Sequence, residues 1–296
     1  MLRKKGMEKL HVNIGNYSSI YFKTEDRRFD TLFRVSELSE IQEDSRIEYL
    51  KIENTVIKTQ KAKDERECIY FYYEDPFIGI QILSEIISDF FSIPIYHLYL
   101  SGDENKKYPR RAIDWVMSRQ ETIAECNMEC WETNEEDLTY FLDTARITKY
   151  LVVFVETSDD FQYSFKYPMN LDSMTFVASP WPTVTNLLEI NPGYLEILTT
   201  KFTSEDMNLF VRNWINGGNS NLRSLIFVLN QVDIQTILNG IPAGFMKMRN
   251  HITSIEIRNV NGVIASIVTE NGNHKDFCIY VWPDYKGQPY PLEPIV

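Results

Sequence analysis

Chemistry at a protein site needs ionisable or nucleophilic side chains at a spacing that suits the reaction, so those residues come first. The four histidines, His11, His97, His251 and His274, lie far apart in the chain, and none falls in an HExxH pattern. That pattern places two imidazoles one helical turn apart on zinc. Each histidine reads instead as a surface or strand residue without a nearby partner set. The chain holds no GxSxG elbow, no P-loop and no GxGxxG run. Gly217-Gly218-Asn219-Ser220 has the small residues of a phosphate cradle. It follows a helical pattern, however, whereas a phosphate loop leads into one, so it reads as a C-cap and turn.

Three carboxylate pairs stand out: Glu135/Glu136, Asp159/Asp160 and Glu205/Asp206. General acid–base work requires two carboxyls in differently perturbing surroundings. The first and third pairs begin helical patterns, where acidic residues oppose the helix dipole. The second sits in a polar Thr-Ser-Asp-Asp turn, where solvation is expected. The cysteines, Cys68, Cys126, Cys130 and Cys278, form neither a CxxC pair nor a zinc-type cluster with histidine. Cys126 and Cys130 would share one face of a strand, and reduced thiols are the expectation. No catalytic residue, cofactor or metal site emerges, and the chain is expected not to be an enzyme.

The balance of 42 acidic against 30 basic residues gives a formal charge of -12. That repels phosphate backbones and anionic lipid surfaces, so neither nucleic acid nor a membrane is an expected partner. Lys106 to Arg111, KKYPRR, is the densest basic run. It reads as a solvated loop before a helix, with a nuclear-localisation signal or an acidic partner as the alternatives. No signal-peptide core and no apolar run long enough to span a bilayer appear, so a soluble protein of the cytoplasm or nucleus is expected. Five tryptophans are spread along the chain, Trp115, Trp131, Trp181, Trp214 and Trp282. Trp115 and Trp214 fall on apolar helix faces, which assigns them to the core. Trp181 lies between two prolines, where no helical burial is implied.

The elements that would carry these residues follow a rhythm. Leu10, Val12 and Ile14 alternate with polar residues, and Ile20 and Phe22 continue the pattern, which predicts short strands. Lys58 to Glu67 is charged and reads as a loop. From Phe77, a helical segment leads to a strand at Ile95–Leu100. Strand-like runs then centre on Ile123–Met128, Tyr150–Val155, Met174–Val177, Tyr194–Leu198 and Leu222–Val228. They recur about every 21 to 29 residues, near the period of leucine-rich repeats. Helical patterns lie between several of them, at Ala112–Arg119, Leu138–Ala145 and Met207–Ile215. EEDLTYFL from Glu135 aligns with SEDMNLFV from Ser204, either as a true repeat or as two ordinary amphipathic helices. HITSIEIRNV, GVIASIVTE and DFCIYVWP read as three strands joined at Asn261-Gly262 and Asn271-Gly272.

The fold class is therefore α/β: a leucine-rich-repeat-like curved array of strand–helix units closed by a C-terminal antiparallel three-stranded meander. The expected divisions are a strand-rich region at 1–76, a repeat-like α/β region at 77–250, and the meander with its tail at 251–296.

Tyr194 to Phe227, YLEILTTKFTSEDMNLFVRNWINGGNSNLRSLIF, resembles the core motif of the type 2 F-box-associated domain, a family greatly expanded in nematodes. Asp206, Asn208, Phe210, Trp214 and Gly217 match that motif as they stand, and their expected role is structural. IEIRNVNGVIASIV and FCIYVWPD resemble the tail of the same proteins, and the motif extends over about 180–245. The resemblance implies a protein-interaction module, the substrate-recruiting part of an SCF ubiquitin ligase F-box protein. Its partners would be an unknown target protein and, through an upstream F-box only, a Skp1-like adaptor. The sequence departs from the family pattern in starting with LRKKG, about where an F-box should be ending. The alternative is thus an F-box-less interaction protein that binds targets without delivering them for ubiquitination.

Overall fold

The computed structural model describes residues 9–15, 18–24, 27–43, 45–52, 55–61, 68–102, 108–130, 135–198, 201–249, 252–270, 276–283 and 287–288. Among these the chain forms sixteen strands and six α-helices, an α/β protein with mixed parallel and antiparallel pairing. It divides into two compact units, Met1–Thr133 with Thr144–Ile147, and Asn134–Asp143 with Thr148–Val296. Trp131, His251, His274, Lys106, Lys107 and the Asn271-Gly272 turn lie outside the described residues.

The first unit contains β1 (Lys9–Ile14), β2 (Ser19–Thr24), β3 (Arg27–Glu37), β4 (Glu48–Ile52), β5 (Thr55–Lys61), β6 (Ile69–Tyr73), α1 (Pro76–Phe91), β7 (Ile95–Gly102), α2 (Tyr108–Arg119) and β8 (Ile123–Cys130). Its strands lie in the order β8-β7-β1-β2-β3-β6-β5-β4. β8, β7 and β1 run parallel, as do β3 and β6, and the remaining neighbours are antiparallel. The start of α1 is set by Asp75, whose side chain accepts from the Phe77 amide at 2.9 Å, and by Pro76, whose missing N–H costs nothing in a first turn. Gly79 lets α1 approach the sheet, because a Cβ there would fall 2.7 Å from Val35 and closer still to the Tyr73 ring.

Two expectations change in this unit. Lys58–Lys61 is not loop but the end of β5, paired with Tyr72 through Ile69 of β6. Tyr108–Arg111 forms the first turn of α2. Arg111 there pairs with Asp75 at 3.0 Å and lies over the Phe77 ring.

The second unit contains α3 (Glu135–Thr144), β9 (Ile147–Val155), β10 (Ser173–Val177), α4 (Val184–Glu189), β11 (Tyr194–Ile197), α5 (Ser204–Ile215), β12 (Ser224–Val228), α6 (Ile234–Ile237), β13 (Ala243–Arg249), β14 (Ile252–Arg258), β15 (Ile264–Glu270) and β16 (Asp276–Val281). β9 to β12 are parallel neighbours in chain order. β16 joins β12 antiparallel, followed by β15, β14 and β13. Where three C-terminal strands are expected, four pair antiparallel. β13 is the addition, and its AGFMKMR lacks the clean alternation that marks a strand.

One face of this sheet is the core. Leu151, Met174, Leu195, Leu225, Ile279, Ile267 and Ile255 stand in register across seven strands, each at most 1% exposed. Val153, Phe176, Ile197, Phe227 and Phe277 form the next row, all fully buried. Burying each such side chain contributes about 1.5–3 kcal/mol. These rows hold the registers, since a slip by one residue would turn an entire strand's apolar set outward.

Candidate functional site

The family-motif residues build α5 and the turn that ends it. Thr203 caps the helix: its hydroxyl accepts from the Asp206 amide at 3.2 Å, while the Asp206 carboxylate accepts from the Thr203 amide at 2.9 Å. This reciprocal box satisfies two donors that a helix start otherwise leaves open. Phe210 and Trp214 fall with Met207 and Val211 on the buried face, none more than 2% exposed. Asn208 faces the other way and donates to the carbonyls of Ile237 and Asn239 beside α6. Gly217 ends the helix with φ +93, a conformation that a side chain resists.

A repeat that the sequence reading passed over underlies this arrangement. NLDSMTF from Asn170, NPGYLEI from Asn191 and NLRSLIF from Asn221 share one pattern, with the asparagine three residues before β10, β11 and β12. In space the asparagines touch. The Asn191 amide donates to Asn170 Oδ1 at 3.3 Å, and Asn191 Oδ1 accepts from the Asn221 backbone at 2.9 Å. The recurring asparagine was a readable signal. Asn219 adds a clamp, donating to the carbonyls of Leu187 at 2.9 Å and Ile190 at 2.6 Å. Trp181 is 1% exposed, packed edge-on against Phe161, Tyr163 and Phe176.

The sheet face opposite the core carries different chemistry. Tyr150, Ser173, Tyr194, Ser224, Tyr280 and Ser266 are register partners in that order across β9, β10, β11, β12, β16 and β15. Tyrosine and serine therefore alternate along the row. The next row is Val152, Thr175, Glu196, Ile226, Cys278 and Val268. Tyr150 is 37% exposed and Leu198, just past β11, 38%. Ser224 is 1% exposed, and its hydroxyl has no hydrogen-bond partner. The Tyr194 phenol is held above its ordinary range, mainly by burial and then by the Glu196 carboxylate.

Glu135/Glu136 and Glu205/Asp206 occupy the first turns of α3 and α5. Glu135 accepts from Ser158, which holds its carboxyl below the usual range. Asp159 and Asp160 are exposed in a turn. The first unit does bring two histidines together, contrary to the reading that gave none a partner. The parallel pairing of β1 with β7, invisible to local pattern, puts His11 4.9 Å from His97. His11 is 2% exposed and stacks on Tyr21, and His97 meets Asn127 at 3.1 Å. Among the described residues no group of three or more His, Cys, Asp or Glu side chains is placed to hold a metal ion. Among them, too, no helix is long and apolar enough to cross a membrane.

Two clefts among the described residues are lined by charged side chains. One of about 340 Å³ lies by the end of α1 and is lined by Ser84, Glu85, Asp89, Trp115 and Arg119. There Arg119 pairs with Asp89 at 2.6 Å, and the Trp115 indole donates to Glu85 at 2.7 Å. The other, of about 330 Å³, lies at the starts of α5 and α6 among Thr203, Glu205, Gln231 and Asp233.

Residues 162–227 match a family model described as F-box associated. The Skn-1 dependent zygotic transcript 15 protein of Caenorhabditis elegans is similar to this chain, 26% identical over 123 residues. That stretch takes in 36% of this chain and 35% of that protein, so about a third of the curated relative is spanned. No solved structure matches the chain. The matched residues hold β10, α4, β11, α5 and β12, the part of the sheet built on the recurring asparagine. The stretch at 162–227 is thus similar to F-box-associated domains.

Proposed function

We propose that this chain is a non-enzymatic protein-interaction module that recruits a target protein for ubiquitination, as the associated domain of an SCF-type F-box protein does. The observation that carries the reading is the F-box associated match over residues 162–227. Its physical counterpart is the leucine-rich-repeat-like build of that stretch, with an asparagine, a strand and a helix per unit. Stacked units of this kind bury a common core and leave a long sheet face free for a partner. Such a face binds without catalytic groups. The Skp1-like adaptor contact belongs to an F-box, the target contact to the repeat-built sheet, and the site of action is the cytoplasm or nucleus.

The test is made in cells under proteasome inhibition, with the tagged protein precipitated and its companions identified. Companions whose half-lives lengthen when the gene is removed are the expected result. If every companion keeps its half-life, delivery for ubiquitination is wrong, and a protein that binds without delivering is left.

A further inference from the structure

We infer that the sheet face carrying Tyr150, Tyr194 and Tyr280 is where the target docks, and that the docking segment of the target is basic, with Lys or Arg set among apolar residues. The inference deepens the protein-interaction reading above and rests on it.

The geometry of the row comes first. Adjacent strands lie about 4.8 Å apart, so tyrosines on alternate strands stand about 10 Å apart. Ser173 separates Tyr150 from Tyr194, and Ser224 separates Tyr194 from Tyr280. Ser173 is half-buried between its tyrosines, whereas Ser224 is closed over by its neighbours and Ser266 accepts from the Trp282 indole at 3.0 Å. Tyrosine offers a large amphipathic contact with little conformational entropy to lose, and serine adds adaptable hydrogen bonding. Ser224 has an unpartnered hydroxyl at the middle of the row. Beside the row, Val152, Ile226 and Val268 add aliphatic surface.

Charge selects the occupant. Glu196 and Asp276 lie on this face, placed by their pairing with Ile226 and Val228. Among the described side chains of β9, β10, β11, β12, β15 and β16, none on this face is Lys or Arg, and Arg258 of β14, the register partner of Ile264, stands at its margin and pairs with Glu256 at 3.6 Å. Arriving cations would meet both carboxylates and tyrosine ring faces, and both attract them. An acidic segment would meet repulsion from both carboxylates, against which the neutral hydroxyls of the row offer weaker donors than a cation would. The chain's overall charge of -12 draws a basic partner towards the surface and repels a nucleic acid.

A displayed library of random peptides, selected on the full chain, tests this. The selected peptides should be rich in Lys or Arg and should weaken as salt rises. Their binding should fall about tenfold or more on Glu196→Lys and on Tyr150→Ala. Tyr150 is already 37% exposed, so that variant removes little core packing, and Glu196→Gln serves as the milder second change. Asp160→Lys makes the same charge change on an exposed turn and should leave binding unaltered. Peptides that are neutral or acidic, or that bind the Glu196 and Tyr150 variants as well as the parent, overturn the docking surface while protein binding itself stands. A library that yields no binder at all overturns both.

Discussion

Asn208 and Arg212, one turn apart on α5, together hold the end of α6. The Asn208 amide donates to the carbonyls of Ile237 at 2.7 Å and Asn239 at 3.0 Å, and Arg212 donates back to Asn208 Oδ1 at 2.8 Å. Arg212 reaches the Asn239 carbonyl as well. Asn208→Ala removes every bond that the amide makes. Each is worth about 0.5–1.5 kcal/mol net, so the two donated bonds alone set an expected loss of about 1–3 kcal/mol in urea unfolding. Asn208→Asp keeps the acceptor for Arg212 but removes the donor, and should fall nearly as far. A wild-type midpoint for both variants would show that this corner of the domain carries no stability.

Trp214 is 2% exposed on the buried face of α5, while Leu209 on the opposite face is 50% exposed. Truncating the first opens a large cavity, and truncating the second opens none. Trp214→Ala should cost about 3–5 kcal/mol, and Leu209→Ala should lie within about 0.5 kcal/mol of the parent. Thermal melts of the two side by side give the answer. Equal melting temperatures would place Trp214 outside the cooperative core.

The contrast between these two residues also marks how far the sequence could be read. Met207, Phe210, Val211 and Trp214 repeat at helical spacing, so both the helix and its buried face were legible. The strands β9 to β12 were legible too, since each is a short apolar run. What local pattern could not supply was pairing between distant segments. β1 joins β7 across the whole N-terminal region, and only that join brings His11 to His97. β5 contains Lys58 and Lys61, which look like loop residues until β6 is beside them. Trp181, between two prolines, gave no helical signal, yet its burial comes from Phe161, Tyr163 and Phe176 in flanking segments. The tyrosine–serine row is a property of register across six strands, which no single strand displays. The asparagines before β10, β11 and β12 are different. They were in plain sight, and a search for recurring short segments would have found them.

Asn219 makes a stronger case than the ladder asparagines for a single-residue test. It is 6% exposed, adopts φ 44, donates to Leu187 and Ile190, and accepts from the Asn213 amide at 2.7 Å. Asn219→Ala loses those bonds and forces a residue with a Cβ into the left-handed region. Asn219→Gly loses the same bonds without that strain. The order of stability should be Asn, then Gly, then Ala, with about 1 kcal/mol between the last two. If Ala proves as stable as Gly, the backbone at this position is not left-handed in solution.

Alkaline pH should destabilise the protein. Burial pushes the Cys278 thiol up to about 11 from 9.0, with a Tyr280 hydrogen bond opposing the shift and Asp276 adding to it. The phenols of Tyr21 and Tyr73 are pushed up to about 12 from 10.0, by burial in both and further by Glu125 for Tyr21. Between its unfolded and folded values each group is deprotonated in the unfolded chain and protonated in the native one. The native state then binds more protons, so stability falls as pH rises. For Cys278 the decline begins near pH 9 and continues to about 11, at up to about 1.4 kcal/mol per pH unit. The tyrosines should extend it above pH 10. Cys278→Ser, whose hydroxyl does not titrate in this range, should remove the earlier part of the decline and leave the later part. Urea midpoints measured at half-unit steps from about pH 8 to 11 would show it. A thiol kept protonated is also a poor nucleophile, so Cys278 should react with iodoacetamide far more slowly in the native chain than in urea at about pH 8. Equal rates in the two states would mean that the half-buried Cys278 thiol is not perturbed, and the early alkaline decline should then be absent as well.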